Sequence, residues 1–373
     1  MKFVDAHTHL ETFALRSIPI EKAKSKKDLI SMLESARIKP IVAWGWSEEL
    51  LGDKLSKNDI NRFPFPILLI RTDGHMGVVN NKVIEGMRVK PSQKFDPHKG
   101  YVYEDVLWSL AAKLKPRDII QPLLNAQGEA ISKGIVEVHD FVDVKTAEAY
   151  FKIRERGELK LRVVLMPYYE NYRKTTDLIE KYGEDERLSF GCVKVFVDGS
   201  IGARTAYLNE NYIDKSSRGI LLKTERELIS TIVELENRGL KIALHAIGDG
   251  AMEVAVSALE MSNIKMKGHR IEHAVMIRPS QVRRLKDLGV TICVQPNFNE
   301  VFMNTYVRAL GEERASRMNP IKMLDEMNAD MIFGSDMMPF DPRVGLNYAS
   351  EILGENKAWY YYGGWKGGSS GGL

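Results

Sequence analysis

The amino terminus carries two histidines, His7 and His9, in the stretch VDAHTHL, although the whole chain contains only 8 histidines. The apolar residues before them are typical of a β-strand, and side chains two residues apart in a strand point to the same face. Two neutral imidazoles on one face can bind a single Zn²⁺ or a similar ion. The spacing therefore predicts a metal site at the end of the first strand.

Four further polar residues lie within or at the ends of later apolar runs, and each could complete such a site. They are Lys194 in FGCVKVFVDG, His245 in LKIALHAIGD, His273 in HRIEHAV and Asp336 in ADMIFGSD. Imidazole and carboxylate suit divalent ions, although Asp336 could instead cap a helix and Lys194 could pair with a buried carboxylate. We expect the four side chains to meet the amino-terminal histidines at one edge of a sheet.

Lys194 is the unusual member of this set, because an ammonium group repels metal cations. Val193, Val195 and Val197 share the opposite face of its run, so we expect the lysine to point into a protein core. Burial lowers the pKa of a lysine and favours the neutral amine. Because a neutral amine can add CO₂ to form a carbamate, we hypothesise that Lys194 is carboxylated and bridges two ions.

The elements that must position these residues alternate along the chain. From residue 116 onward, helix-like and strand-like runs follow one another, and the first strand raises the number of strands to eight. This alternation predicts an α/β fold with parallel pairing, and eight strand–helix units predict a (β/α)8 TIM barrel. We expect the barrel over residues 1–360, with a long insertion at 11–115 over the active-site mouth, and a flexible Gly/Ser-rich tail at 361–373.

Composition argues against several classes of protein. A net charge of +3 gives no electrostatic case for binding nucleic acid or an anionic membrane. The sequence has no apolar run of about 18 residues, as a membrane-spanning helix would need, and its start lacks the pattern of a signal peptide. Two cysteines are too few for a disulfide framework. We expect a cytoplasmic protein, and its Lys, Glu and Ile content points weakly to a thermophile.

Five other polar residues could bind substrate, and each has a structural alternative. Arg71, Asp73 and His75 in RTDGH could shape the substrate pocket or hold the insertion together. His139 ends the second barrel strand, where substrate contact and a structural hydrogen bond are equally favoured. Arg204 in GSIGARTA could bind a carboxylate or carbonyl group of the substrate, or form a salt bridge within its own loop.

The motifs, in their order, resemble the amidohydrolase superfamily. The shared motifs are HTH, VKVFVDGS, HAIGD, RIEHA and GSD. The stretches GWGW, RTDGHMGVVN, VKVFVDGSIGARTAYL and HAIGDGA are similar to its N-substituted formamide deformylase-like subgroup. The resemblance runs from residue 3 to about 350 and implies a metal-dependent hydrolase with a binuclear metal centre. Members usually carry an additional β-sandwich domain, which we expect to be absent here.

The resemblance also implies a role for each residue of the set. Two divalent ions, with zinc favoured, would be held by His7, His9 and Asp336 at the more buried position, by His245 and His273 at the second, and by carboxylated Lys194 between them. A hydroxide would also lie between the ions. Asp336 would take a proton from the attacking water and pass it to the leaving nitrogen, and Lys194 and His273 complete the residues expected to act in catalysis.

The expected reaction is hydrolysis of a non-peptide C–N bond in an amide, formamide or related small molecule. Two alternatives stay open. The same two-metal site could hydrolyse an ester, lactone or phosphoester, because a metal-activated hydroxide attacks many electrophilic centres. The chain could also be a trimmed or engineered barrel that binds metal without turnover. The expected partner is a small-molecule substrate, and self-association into a homo-oligomer is left open.

Overall fold

The computed structural model describes residues 2–15, 18–37, 39–87, 90–116 and 118–364. It divides into two compact units, which we call the main unit (Met1–Leu10 and Leu124–Leu373) and the inserted unit (Glu11–Leu123). The fold is mixed α/β, and parallel sheets form the main unit. The predicted domain bounds and the absence of a β-sandwich stay predictions.

Runs rich in β-branched and aromatic residues form the strands. In chain order the described strands are β1 (Phe3–Thr8), β2 (Ile41–Trp46), β3 (Ile67–Arg71), β4 (Met76–Val79), β5 (Phe95–Asp96), β6 (Tyr101–Tyr103), β7 (Ile135–Val142), β8 (Arg162–Pro167), β9 (Leu188–Phe190), β10 (Cys192–Phe196), β11 (Lys241–Ala246), β12 (Arg270–His273), β13 (Thr291–Val294) and β14 (Met331–Phe333).

The helices of the main unit mostly follow its strands, as the alternating pattern predicted. The described helices are α1 (Lys26–Ser35), α2 (Glu48–Leu51), α3 (Lys57–Ile60), α4 (Asn81–Ile84), α5 (Glu104–Leu114), α6 (Ile120–Ser132), α7 (Val144–Glu155), α8 (Tyr172–Tyr182), α9 (Glu225–Asn237), α10 (Asp249–Met261), α11 (Pro279–Leu288), α12 (Asn297–Leu310), α13 (Glu312–Ala315), α14 (Ile321–Glu326), α15 (Pro342–Leu353) and α16 (Glu355–Trp359). Among the described helices, none combines the length and apolarity needed to cross a membrane.

Two sheets with only parallel pairing make up the main unit. One has the strand order β1-β7-β8-β9 and the other the order β10-β11-β12-β13-β14. Backbone hydrogen bonds connect the two sheets, and two of them show where. The N–H of Tyr169 donates to the carbonyl of Lys194, and the N–H of Asp336 donates to the carbonyl of His7, both at 2.9 Å. The end of β8 therefore meets β10, and the residues after β14 meet β1.

The fourth predicted strand, FGCVKVFVDG, is divided at Gly191. Phe190 ends β9, which pairs with β8, whereas Cys192 begins β10, which pairs with β11. A Cβ atom at Gly191 would lie 2.5 Å from Sδ of Met166 and 2.7 Å from Cγ1 of Val164. A side chain at this position would have to displace Met166 or Val164 of β8. The division lies where the chain passes from one sheet to the other. The other seven predicted strands are each continuous.

The inserted unit has a sheet of its own, which the sequence did not predict. Its strand order is β2-β3-β4-β6-β5, with β2 and β3 parallel and the other neighbours antiparallel. Leu68, Ile70, Val102 and Leu107 are fully or almost fully buried and belong to its core. This unit is therefore a folded element with its own hydrophobic core. The expectation that the insertion covers the active-site mouth stays a prediction.

Two features near the carboxyl terminus add to the predicted pattern. The helix α12 lies between β13 and α14, in a stretch for which the sequence predicted no element. Tyr362 is fully buried and its ring packs edge-on against Phe3, with 5.9 Å between the ring centroids. Of the tail predicted at 361–373, the structure describes residues 361–364, and residues 365–373 lie outside the described part.

Candidate metal centre

Three of the predicted ligands, His7, His9 and Asp336, converge on one point of the main unit. The Nε2 atoms of His7 and His9 lie 3.5 Å and 3.3 Å from the same oxygen, Oδ1 of Asp336. Nε2 of His7 is buried and has no hydrogen-bond partner among the described residues. Since an unsatisfied buried nitrogen is costly, and since two imidazoles and a carboxylate are a ligand set that Zn²⁺ accepts, the three residues fit a divalent ion.

Close packing of β14 against β1 positions Asp336. A Cβ atom at Gly334 would lie 2.6 Å from both N and Cβ of His7, so the approach requires glycine. The buried carboxylate of Asp5 then accepts hydrogen bonds from N and Oγ of Ser335 at 2.7 Å and 2.6 Å. Asp336 itself has a left-handed backbone, with φ of 52°. Such conformations are costly and concentrate at functional sites.

His245 and His273 form a second pair of imidazoles beside the first. Their ring centroids are 4.5 Å apart, and the ring of His273 lies 4.6 Å from that of His7. Nδ1 of His273 donates to Oε1 of Gln295 at 2.8 Å, and Nε2 of His245 donates to the carbonyl of Gly199 at 3.1 Å. Each hydrogen bond leaves the lone pair on the other ring nitrogen. Both neutral rings can therefore act as ligands.

Lys194 is fully buried within the same group of side chains. Its Nζ lies 4.1 Å from the ring centroid of Phe141, and that ring lies 4.3 Å from His7 and 5.3 Å from His9. Burial lowers the pKa of Lys194 to about 8, although the negative charges of Glu272 and Asp336 oppose the shift. The sequence predicted this direction. A substantial fraction of the amine is therefore neutral in mildly alkaline solution.

Burial also controls the charge of His7. It lowers the pKa of His7 well below the usual value, and the positive charge of Lys194 adds to the effect. The imidazole is therefore neutral near pH 7, as metal ligation requires.

Polar side chains that contact the candidate ligands and were not predicted from the sequence include those of Glu272, Tyr168 and Gln295. Oε2 of Glu272 lies 2.6 Å from Nδ1 of His7, the hydroxyl of Tyr168 lies 3.1 Å from Nδ1 of His9, and Gln295 contacts His273 as described. Tyr168 and Gln295 directly follow β8 and β13. Their position at strand ends was the signal that could have identified them, because barrel enzymes place their chemistry there.

The residues predicted to bind substrate in the inserted unit pair with each other and with acidic neighbours. Arg71 donates from Nε to Glu48 at 2.9 Å and from Nη1 to Asp73 at 2.8 Å. Nδ1 of His75 lies 2.8 Å from Oε2 of Glu104. These contacts agree with the structural alternative, in which RTDGH holds the insertion together. Substrate binding by Arg71, Asp73 and His75 stays a prediction.

The two substrate-binding candidates of the main unit, Arg204 and His139, also form hydrogen bonds with charged neighbours. Nε of Arg204 donates to the two carboxylate oxygens of Asp214 at 2.9 Å and 3.0 Å. Nδ1 of His139 accepts from Arg270 at 2.8 Å, and its Nε2 lies 3.3 Å from Glu137. Arg204 thus forms the salt bridge within its loop, and His139 forms structural hydrogen bonds. A substrate contact by either residue stays a prediction.

Comparison with known proteins gives the relationships of the chain. The family model described as "Amidohydrolase family" matches residues 3–352. YtcJ of Bacillus subtilis, an amidohydrolase by name, is 27% identical over 93% of this chain and 72% of its own length. The N-substituted formamide deformylase of Arthrobacter pascens is 23% identical over 49% of this chain and 36% of its own length.

Two solved structures are similar over almost the whole chain. An uncharacterized metal-dependent hydrolase from Pyrococcus furiosus is 31% identical with a TM-score of 0.75, and 97% of this chain aligns with 80% of that chain. An uncharacterized metal-dependent hydrolase from Pyrococcus horikoshii is 29% identical with a TM-score of 0.77, and 97% of this chain aligns with 79% of that one. The extent of the family match shows that this chain belongs to the amidohydrolase family.

Proposed function

We propose that this chain is a metal-dependent hydrolase that cleaves a C–N bond of a small amide or formamide on a (β/α)8 barrel. The observation that carries the proposal is the convergence of His7, His9 and Asp336. In this group, Nε2 of His7 is buried and has no hydrogen-bond partner among the described residues. The names of the two Pyrococcus proteins support metal-dependent hydrolysis. The similarity to the Arthrobacter deformylase supports an amide-type substrate.

The ligand chemistry favours a centre of two divalent ions, with zinc as the preferred metal. One ion would be held by His7, His9 and Asp336, and the second by His245 and His273, with Lys194 shared between them. When bound, the ions polarise the carbonyl group of the substrate and lower the pKa of the attacking water.

Lys194 would join this centre as a carbamate. The lone pair of its neutral amine forms a bond to the carbon of CO₂, and the nitrogen then releases a proton. The side chain becomes an anion with two oxygens, so that a buried positive charge is replaced by a negative ligand. Burial of Lys194 favours this step, because it holds the pKa of the amine at about 8 and thereby increases the neutral fraction.

Asp336 would move protons in the proposed reaction. Its side chain retains 11% exposure, whereas that of His7 has none, so the carboxylate can face a substrate as well as the ligand cluster. We infer that Asp336 takes a proton from the attacking water and donates it to the departing nitrogen, which leaves as an amine. His9, whose side chain is 20% exposed, lies at the same edge.

The test is an activity panel on protein that has been stripped of metal and reloaded separately with Zn²⁺, Mn²⁺ or Co²⁺. The panel contains N-substituted formamides, cyclic amides, and the matched esters and lactones. We expect amide hydrolysis that requires metal. Asp336→Asn should lower kcat by about 10²-fold or more, since it removes the proton-transferring group.

Asp341→Asn is the matched control, because Asp341 is the next carboxylate along the chain, and it caps α15 and pairs with Arg343. It should leave hydrolysis unchanged. If the protein hydrolyses esters or lactones and no amide, the proposed cleavage of a C–N bond is wrong and the ester alternative holds. Bound metal without turnover of any substrate in the panel would contradict the proposed activity.

A further inference from the structure

A buried ion pair lies directly behind the candidate ligand His7. Arg270 and Glu272 share one face of β12, and Nε of Arg270 lies 2.7 Å from Oε1 of Glu272. Nη2 of the same arginine donates to Oε2 of Glu272 at 3.0 Å and to the carbonyl of Ala6 at 2.7 Å. Oε2 of Glu272 lies 2.6 Å from Nδ1 of His7, and both side chains are fully buried.

The direction of each hydrogen bond in this network follows from the chemistry of the groups. A guanidinium group has only donors, so Arg270 donates to Glu272 and, through Nη1, to Nδ1 of His139 at 2.8 Å. A carboxylate next to a guanidinium group acts as an acceptor. Nδ1 of His7 must therefore carry the hydrogen and donate it to Glu272. The lone pair of His7 then lies on Nε2, the atom 3.5 Å from Asp336.

We propose that the Arg270–Glu272 pair is a positioning device that holds His7 in its Nδ1–H tautomer and so keeps Nε2 ready to bind metal. The metal part of this inference rests on the proposed function, whereas the tautomer can be measured without any metal. In known metalloproteins, a carboxylate that accepts from the second nitrogen of a ligating histidine fixes the ring and raises metal affinity about 10–100-fold. Here the carboxylate is itself held by Arg270.

Glu272→Gln is the decisive variant, because it keeps the size of the side chain and changes only its hydrogen bonding. The amide has one oxygen to accept from Arg270, so its NH₂ group turns towards Nδ1 of His7. That nitrogen must then accept, which moves the hydrogen of His7 to Nε2 and blocks the ligand atom. Metal affinity should therefore fall although the shape of the site is preserved.

Glu236→Gln is the matched control in the same unit. Nε2 of His269 lies 2.6 Å from Oε1 of Glu236, and Nδ1 of His269 accepts from the N–H of Ile242 at 3.1 Å. His269 directly precedes β12, whereas His273 ends it. The control thus alters another histidine–carboxylate pair, whose hydrogen bonds among the described residues do not involve the candidate ligands.

Two measurements on the 373-residue chain test the proposal. In metal-free protein with ¹⁵N-labelled histidine, long-range ¹H–¹⁵N spectra report the tautomer of His7, with a His7→Asn spectrum for assignment. We expect Nδ1–H in the unsubstituted protein and in Glu236→Gln, and Nε2–H in Glu272→Gln. Zn²⁺ affinity, measured by competition with a chromophoric chelator, should fall about 10–100-fold in Glu272→Gln and stay within about threefold in the control.

The outcomes separate this inference from the proposed function. An Nε2–H tautomer in the unsubstituted protein, or unchanged tautomer and Zn²⁺ affinity in Glu272→Gln, would overturn the positioning role. Absence of Zn²⁺ binding by the unsubstituted protein would overturn the proposed function, and the tautomer would still decide the role of the ion pair. Circular dichroism shows whether Glu272→Gln folds. If it does not fold, the tautomer of His7 in the unsubstituted protein decides: Nδ1–H supports the positioning role and Nε2–H contradicts it.

Discussion

The backbone N–H of Asp336 donates to the carbonyl oxygen of His7 at 2.9 Å, and the side chains of the same two residues approach to 3.5 Å between Oδ1 and Nε2. The segment after the last strand of the main unit is thus fixed to the first strand through backbone and ligand atoms together. The geometry of the candidate metal centre therefore depends on how closely β14 packs against β1.

Gly334→Ala tests this dependence. The added Cβ would meet N and Cβ of His7 at 2.6 Å, and neither atom can move without shifting β1. We expect a loss of stability of about 1–3 kcal/mol, as for other overpacked sites, and weaker Zn²⁺ binding. Chemical denaturation and a chelator competition assay measure the two effects.

Gly128→Ala is the control for that substitution. Gly128 lies within α6, and among the described residues no atom outside the neighbouring helix backbone lies within 4 Å of a Cβ atom built there. Because alanine is the better helix former, this variant should be stabilised by up to about 1 kcal/mol. Equal stability and equal Zn²⁺ affinity in Gly334→Ala and the unsubstituted protein would show that the β1–β14 approach does not determine the site.

Lys194→Met tests the charge state of the buried amine through the pH dependence of stability. In metal-free protein without bicarbonate, the pKa of folded Lys194 is about 8, against an ordinary value of 10.5. Between these values the unfolded chain binds more protons than the folded one, so the lysine makes stability rise with pH. Below pH 8 its full destabilisation, roughly 3 kcal/mol, is present.

Lys194→Met lacks this destabilising charge, so at pH 8 and below its free energy of unfolding should exceed that of the unsubstituted protein. Since methionine does not titrate, this advantage should shrink as the pH rises from 8 to 10.5. Urea unfolding of both proteins across this range measures the difference, in which the contributions of groups that do not interact with Lys194 cancel. A difference that stays constant with pH would mean that Lys194 keeps its ordinary pKa in the folded protein.

The Arg204–Asp214 pair lends itself to a double-mutant cycle. The side chains are 16% and 37% exposed, so solvent screens the pair and its coupling energy should not exceed about 1 kcal/mol. Arg204→Met and Asp214→Asn should then lower stability by similar amounts without adding up in the double variant. If KM rises in Arg204→Met and stays unchanged in Asp214→Asn, Arg204 contacts substrate, as the sequence also allowed.

Strand alternation and strand ends are local properties, so the sequence alone could place His7, His9 and Asp336 close together, as the structure has them. That these residues bind metal stays a prediction. His7 and His9 needed only the period of two residues, and Asp336 needed only its place after an apolar run. Each of the eight predicted strands is present, and seven are continuous. The division at Gly191 lies where the pairing partner changes from β8 to β11, and local periodicity does not encode which strands pair.

Glu272 was not predicted because of the backbone at His273. Alternation places the two neighbours on opposite faces of β12, and only His273 was considered as a site residue. In the structure His273 has φ of 73°, outside the extended region, so its side chain no longer follows the alternation. Glu272 contacts His7, and His273 lies 4.6 Å from the same ring. A left-handed residue at a strand end cannot be inferred from residue types alone.

The most direct test of the account is a crystal structure of the Zn²⁺-loaded protein grown with bicarbonate, with anomalous data at the zinc edge. We predict one ion bound by His7, His9 and Asp336, a second bound by His245 and His273, and extra density on Nζ of Lys194 that reaches both. Zinc bound elsewhere, or His7 and Asp336 without an ion between them at saturating Zn²⁺, would contradict the account.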